Sequence, residues 1–186
     1  MVQRKLVLKF YASALLLLVC SYPKKLLIAQ QGGAVELSAA AAVTQFDRAA
    51  RLDDAVGYRL GIGVRAAREW QLEATFSYSN PRLIRPSTAF DTETLEQTQL
   101  RLLYEPWQGH RVQVYSGVGL SIDSFYLSSE TYHDAQSLVL ASGLRWSMYT
   151  PHLLIRVDGW VYPTRYSSPR SGVSLGIGFV PFRAER

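Results

Sequence analysis

Side chains that could support nucleophilic or acid–base chemistry are few in this sequence of 186 residues. The segment "SSETYHD" combines hydroxyl, imidazole and carboxylate groups in Ser128, Ser129, Glu130, His133 and Asp134. A serine hydrolase needs a nucleophile activated by a base that a third group orients, so these residues could form such a set. Their composition is equally that of a solvated loop, and no HExxH, CxxC, phosphate-loop or GxSxG motif occurs. We therefore predict that the protein is not an enzyme and has no catalytic residue.

Metal and cofactor sites are not indicated either. The histidines His110, His133 and His152 are scattered along the chain, and the single cysteine, Cys20, precedes the predicted folded part. Cys-ligated metal sites and disulfides need more than one cysteine. We predict no metal-ligating or cofactor-binding residue and no cofactor, and the sequence does not identify a ligand-binding residue.

Charged residues instead recur at alternate positions within apolar segments. In "VGYRLGIGVR", Arg59 and Arg65 share one parity with three glycines, whereas Leu60 and Ile62 share the other. A period of two predicts β-strands with two different faces. Ten charges, five basic and five acidic, fall on the less apolar face of their segments: Glu36, Arg59, Arg65, Glu73, Arg101, Glu105, Asp123, Arg145, Arg156 and Asp158.

Eight segments show this alternation, and no helix is expected after the first thirty residues. The predicted strands are Val35–Phe46, Ala55–Ala67, Trp70–Ser79, Thr94–Glu105, Arg111–Asp123, Gln136–Met148, His152–Tyr162 and Arg170–Phe182. Most have about ten to thirteen residues, which exceeds the usual globular strand and is enough for a tilted strand to cross a bilayer.

The predicted connections alternate between long and short. The long polar connections are Asp47–Asp54, Asn80–Glu93, Ser124–His133 and Pro163–Pro169, and the short ones are Arg68–Glu69, Pro106–His110 and Tyr149–Pro151. Outer-membrane barrels place long loops outside the cell and short turns in the periplasm. The alternation therefore predicts an all-β, eight-stranded, antiparallel up-and-down transmembrane barrel with both chain ends in the periplasm.

Two features predict that the charged face points into this barrel. Eight glycines share that face (Gly57, Gly61, Gly63, Gly117, Gly119, Gly143, Gly176 and Gly178), and a narrow barrel interior mixes small and long side chains. The sequence has no lysine after Lys25, so arginine is the only permanently basic side chain in the predicted barrel. Its planar guanidinium group can form two hydrogen bonds to one carboxylate, which suits ion pairs in a narrow lumen. Because an eight-stranded barrel is only wide enough for side chains, we predict a lumen plugged by ion pairs and a Leu/Ile face toward lipid.

Aromatic residues are predicted to form girdles at the two membrane interfaces. Those near the short turns are Trp70, Tyr104, Trp107, Trp146, Tyr149 and Phe179. Those near the long loops are Phe46, Tyr58, Tyr78, Phe125, Tyr126, Tyr162 and Tyr166.

Residues 1–29 are predicted to be a signal peptide, with a basic start followed by the apolar core "ALLLLV", which is too short to span a membrane. Cleavage after Ala29 is favoured over a site near Ser21, leaving residues 30–186 as one barrel domain. The leader contributes five of the 20 basic residues and none of the 15 acidic ones, so the net charge of +5 belongs to it. The neutral remainder lacks the basic surplus that nucleic-acid binding needs, and we predict no nucleic-acid partner.

The sequence resembles the small eight-stranded outer-membrane β-barrel proteins related to the OmpA transmembrane domain and the opacity-type porin family. The resemblance rests on the leader, the hairpin "VGYRLGIGVRAAREWQLEATFSYS" and the last strand "SGVSLGIGFVPF", and it covers most of the chain from Val35. It implies location in the outer membrane of a Gram-negative cell envelope, contact with outer-membrane lipid, and insertion by the barrel-assembly machinery. That machinery reads a terminal aromatic residue in this family, which here is Phe182, followed by "RAER".

The predicted function is that of an integral outer-membrane barrel with a structural or surface-interaction role, in which the long loops would bind any surface ligand. Three alternatives remain open at this stage. The barrel could be a narrow channel for small solutes, a lipid-modifying outer-membrane enzyme, or a secreted lipocalin-like barrel with its Leu/Ile face inside.

Overall fold

The structure is a computed structural model that describes residues 34–46, 52–81, 94–108, 111–126, 132–148, 150, 152–163 and 169–182. The predicted signal peptide, Cys20 and His110 lie outside the described residues, as do most of the residues in the four long connections. Among the described residues, no helix is long and apolar enough to cross a membrane.

Eight antiparallel strands, each hydrogen-bonded to its neighbours in the sequence, close into a barrel in which the last strand pairs with the first. The strands are β1 (Val35–Gln45), β2 (Ala55–Arg65), β3 (Trp70–Ser79), β4 (Thr94–Gln108), β5 (Val112–Tyr126), β6 (Tyr132–Ser147), β7 (Leu153–Val161) and β8 (Ser171–Phe182). Closure leaves no unpaired sheet edge. The predicted up-and-down barrel is therefore confirmed.

Two predicted connections were too long because the strands continue into them. β5 and β6 pair as far as Tyr126 and Tyr132, so the connection predicted at Ser124–His133 is reduced to residues 127–131. Aromatic side chains fit the pleated surface well, which favours extension of this ladder. β4 likewise passes Glu105 and reaches Gln108 across an irregularity between Tyr104 and Trp107.

The two faces of the barrel have opposite polarity. Large apolar side chains cover the outside: Leu37, Leu60, Leu72, Leu100, Leu120, Leu140, Val157, Leu175 and Ile177 are all exposed. Leu120, for example, is 65% exposed, whereas Arg101 is fully buried. Nine of the ten predicted inward charges are buried, and the side chain of the tenth, Arg65, is 19% exposed. The prediction that the charged face lines the lumen is confirmed.

The girdle prediction is confirmed for Tyr58, Trp70, Trp146 and Phe179, which are exposed on the outer face, whereas Tyr149, Tyr166 and the side chain of Trp107 lie outside the described residues. At the short-turn end Trp70 packs on Tyr104 with ring centroids 4.9 Å apart, and at the long-loop end Tyr58 stacks on Tyr78 at 5.4 Å. The prediction was wrong for Phe46 and Tyr162, which are buried in the lumen. Both share the inward parity of their strands, and parity decides the direction of a strand side chain.

Glycine is required where a large lumen side chain lies over its cross-strand partner, as Tyr115 of β5 lies over Gly143 of β6. A Cβ on Gly143 would overlap the hydroxyl of Tyr115 and the backbone oxygen of Val157, whereas a Cβ on Gly159 would meet only the Ser142 carbonyl at 3.8 Å. The missing side chain of Gly143 therefore makes room for the ring of Tyr115.

We expect Gly143→Ala to lower the free energy of unfolding by about 1–3 kcal/mol, because overpacking forces neighbouring groups to move. The matched control is Gly159→Ala, on the adjacent strand, which should change it little. Urea titration of both variants in lipid vesicles measures the difference. Equal losses in the two variants would contradict this reading of Gly143.

Candidate functional site

The short-turn half of the lumen contains an ion-pair layer made of Glu36, Arg65, Glu73, Arg101, Glu105, Arg145, Arg156 and Asp158. Alternate positions on six of the strands direct these side chains inward. Four arginines face four carboxylates there, so the layer is neutral as a group. Burial of charges is tolerated only when they are paired and hydrogen-bonded, and this arrangement meets that condition.

Arg156 is the centre of the ion-pair layer. Its guanidinium lies 3.0 Å from Glu36 and 3.0 Å from Asp158, and it also contacts Glu73. Its Nε donates to the hydroxyl of Tyr115 at 3.1 Å, and that hydroxyl donates to Asp158. One side chain therefore ties three carboxylates together across the barrel.

Arg145 and Arg101 complete the layer from other strands. Arg145 lies 3.0 Å from Glu36 and contacts Glu105, which also accepts a hydrogen bond from Arg65 at 2.6 Å. Arg101 contacts Glu73, its direct partner across the strand pair, and lies 3.1 Å from Asp158. No carboxylate of the layer depends on a single arginine.

A second group of side chains forms a polar layer nearer the long loops. The hydroxyl of Tyr162 accepts hydrogen bonds from Gln97 at 2.7 Å and from Gln99 at 2.9 Å. Asp123 accepts from Gln97 at 3.1 Å and from Ser121 at 2.7 Å. These amide and hydroxyl groups fill the lumen at this level and solvate the Asp123 carboxylate.

The predicted ion pairs do not include all ten inward charges. Among the described residues, neither Arg59 nor Asp123 has a salt-bridge partner within 4.0 Å. Arg59 instead donates to Thr75 at 2.8 Å and Gln99 at 2.6 Å. Gln99, Tyr162 and Ser121 lie between Arg59 and the Asp123 carboxylate in a chain of hydrogen bonds, so these two charges do not meet.

Aromatic side chains in the lumen were missed by the sequence analysis. Arg59 lies over the ring of Trp160 at 4.2 Å from its centroid, and Arg145 lies over the ring of Tyr115 at 4.4 Å. Such cation–π contacts are favourable when both groups are desolvated. Their inward parity was a signal in the sequence that could have identified both rings.

At the long-loop end of the lumen lies an apolar group, the mouth cluster, which we interpret as closing the lumen there. It consists of Phe46, Leu52, Ala55 and Leu95, with Phe125 packed against it. Phe125 was predicted to lie in the outer girdle, and its contact with this cluster places it on the inner side instead. The lumen therefore has two closures, one ionic and one apolar.

Comparison with solved structures gives close matches to this architecture at low sequence identity. OprG from Pseudomonas aeruginosa matches with a TM-score of 0.64 at 16% identity, over 82% of this chain and 98% of that chain. The N-terminal β-barrel domain of P. aeruginosa OprF matches with a TM-score of 0.55 at 17% identity, over 81% and 99%. Neisserial surface protein A matches with a TM-score of 0.55 at 16% identity, over 80% and 96%.

The chain has the fold of the small eight-stranded outer-membrane β-barrels. No protein-family model matches the sequence, and no curated protein matches it. The outer-membrane barrel fold accounts for the apolar exterior, because in such barrels the outward face meets lipid and the inward face is polar.

Within the described part of the barrel, no group of three or more His, Cys, Asp and Glu side chains could hold a metal ion. His152 lies at the short-turn end, with its Nδ1 2.7 Å from the carbonyl oxygen of Val180. The side chains of Ser128, Ser129, Glu130, His133 and Asp134 lie outside the described residues.

Proposed function

We propose that the protein is an integral barrel of the outer membrane, in which the closed lumen supports loops that act at the cell surface. The observation that carries this proposal is the inversion of polarity between the two faces. Leu100, Leu120 and Leu175 are exposed at mid-strand while Arg101 and Arg145 are fully buried. In water this arrangement would leave large apolar surface unburied, whereas lipid accommodates it.

We propose a route of export and membrane insertion from the signal peptide and the last strand. The signal peptide at residues 1–29 directs export, and residues 30–186 form the barrel domain. The barrel-assembly machinery recognises the terminal strand with its aromatic Phe182, and the mature barrel then contacts outer-membrane lipid. Both ends of the described barrel lie at the short-turn side, as expected for a chain that enters the membrane from the periplasm.

The role we propose is structural or surface-interacting, without enzymatic activity. The ion-pair layer and the mouth cluster occupy the lumen, so the interior offers little space for a substrate. In rigid scaffolds, binding residues are disproportionately found on loops. A surface ligand would therefore bind the connections around residues 82–93 and 127–131.

The location is tested by extracting membranes of cells that express the full chain. We expect the protein to remain with the outer membrane after alkaline washing and to migrate faster on a gel before boiling than after, because folded barrels resist detergent. Recovery in the soluble fraction with unchanged migration on boiling would instead support the secreted lipocalin-like alternative.

We expect tryptophan placed at Leu100, Leu140 or Leu175 to be quenched by brominated lipid. The four native tryptophans are first replaced by phenylalanine, and each position is then tested alone. The control is the single-tryptophan protein that keeps Trp160, which is 1% exposed inside the lumen and should stay unquenched. Quenching of Trp160 with none at the three leucine positions would reverse the assignment of the faces.

We expect replacement of residues 82–93 and 127–131 by short Gly-Ser turns to leave the barrel folded and to remove surface binding. The barrel is held by strand pairing that ends before these segments, and exposed loops tolerate such changes. The gel shift on boiling reports folding, and whole-cell adhesion assays report binding. Loss of the gel shift would show that the loops are needed for folding. Retained binding would show that the ligand binds the barrel rather than these loops.

A further inference from the structure

Arg59 has buried donors that no described side chain or backbone group satisfies. The residue is 3% exposed, and its NH2 nitrogen makes both of its hydrogen bonds, to Thr75 and Gln99. Its Nε and NH1 nitrogens are buried without a hydrogen-bond partner. A buried donor left unsatisfied is costly, and more so when it carries charge, and Arg59, unlike Arg101, also lines a cavity in which a partner could bind.

A small cavity lies beside Arg59 at the seam where the barrel closes. It has a volume of about 10 Å³ and is lined by Ser38 and Ala40 of β1, Ser174 and Gly176 of β8, and by Arg59, Arg156 and Asp158. The inward side chains of the seam are small here, and Ala40 is the direct cross-strand partner of Arg59. A cavity of about 10–15 Å³ is enough for one water molecule if polar groups surround it.

The lining contains both donors and acceptors. Arg59 supplies N–H donors and Asp158 supplies carboxylate acceptors. The hydroxyls of Ser38 and Ser174 can each donate or accept a hydrogen bond. A halide ion could accept from Arg59, but it would lie near the Asp158 carboxylate and is larger than water. Water can donate and accept at once, so it fits this mixed lining better.

We propose that this cavity is a built site for one internal water molecule, which accepts hydrogen bonds from Arg59 and links the ion-pair layer to the β1–β8 seam. The water takes the place of the charged partner that Arg59 lacks. The site borders the ion-pair layer, because Arg156 and Asp158 line it. The inference concerns the interior of the barrel and does not depend on what the surface loops bind.

The test detects the water directly in the folded full barrel in detergent micelles, with ¹⁵N-labelled arginine. We expect the Nε–H of Arg59, assigned from its loss in Arg59→Lys, to show a cross-peak at the water frequency. Its sign should invert between laboratory-frame and rotating-frame experiments, which distinguishes a bound water from proton exchange. The internal control is the Nε–H of Arg101, which is also buried without a hydrogen-bond partner but does not line the cavity and should show no such peak.

Two matched substitutions locate the water. Ala40→Ser places a hydroxyl in the cavity opposite Arg59, so the cross-peak should disappear while the urea midpoint is retained. Ala42→Ser makes the same change two residues along the same inward face, among the buried apolar side chains around Tyr115 and Trp160. It should keep the cross-peak, because Ala42 does not line the cavity.

Absence of the cross-peak in the unmodified protein overturns the proposal, as does a cross-peak that Ala40→Ser leaves unchanged. The halide alternative is tested by replacing gluconate with bromide at constant ionic strength. A saturable shift of the Arg59 Nε–H resonance with bromide would show an anion site and overturn the assignment to water. An unchanged resonance supports it.

Discussion

Arg156→Ala is expected to lower the free energy of unfolding by about 3–5 kcal/mol, the cost of removing one member of a buried ion pair. Arg156 contacts Glu36, Glu73 and Asp158, and it also donates to Tyr115. Its loss leaves three carboxylates with fewer positive neighbours in a lumen from which water is largely excluded. Urea-induced unfolding in lipid vesicles, followed by tryptophan fluorescence and by the gel shift on boiling, measures the change.

The control for Arg156→Ala is Arg65→Ala at the edge of the same layer. Arg65 is partly exposed, and its partner Glu105 keeps its contact with Arg145 when Arg65 is removed. A partly solvated pair of this kind contributes about 1 kcal/mol or less. If the two variants lose similar stability, the depth of burial is not what gives Arg156 its effect.

A second substitution distinguishes unpaired charge from lost packing. In Arg156→Met the side chain keeps much of its length, and adding Glu73→Gln removes the charge of one of the carboxylates that Arg156 contacts. We expect the double variant to be more stable than Arg156→Met alone, since neighbouring residues in one network are strongly coupled. If the free energy of unfolding of the double variant is below that of the wild type by the sum of the losses in Arg156→Met and Glu73→Gln, the two residues act independently.

The direction of the side chains could be predicted from the sequence because strand parity is a local property. Arg101 and Leu100 are adjacent, and the period of two alone assigns one to the lumen and the other to lipid. The same rule applied to Phe46 and Tyr162 would have placed them inside. They were instead assigned to a girdle by their position near strand ends, which was the weaker argument.

The ion-pair partners could not be predicted, because they depend on register and on closure. Glu73 and Arg101 are cross-strand neighbours, but Arg156 and Glu36 are 120 positions apart and meet only because β8 returns to β1. The balance of five positive and five negative charges suggested complete pairing. Arg59 and Asp123 instead have neutral hydroxyl and amide partners, and which side chains meet in the lumen depends on strand register rather than on composition.

The two closures of the lumen act in series, and this determines which variants should conduct ions. A solute that passed the ion-pair layer would still meet the mouth cluster around Leu95, and one that entered from the loops would meet the charged layer. Eight strands leave a lumen that side chains can fill. Opening one closure alone should therefore leave the barrel shut.

The purified wild-type protein is accordingly expected to show no steady conductance in a planar bilayer. Arg101→Ala removes a long side chain and leaves Glu73 and Asp158 with fewer positive neighbours, while Leu95→Ser weakens the apolar mouth. We expect each single variant to be less stable yet closed, and the double variant to show small openings that prefer cations because the exposed carboxylates line the path. Gel shifts on boiling confirm that each variant inserts as a folded barrel. Reproducible single-channel steps in the wild type, with Arg101→Ala no less stable, would contradict the closed lumen and favour the narrow channel for small solutes.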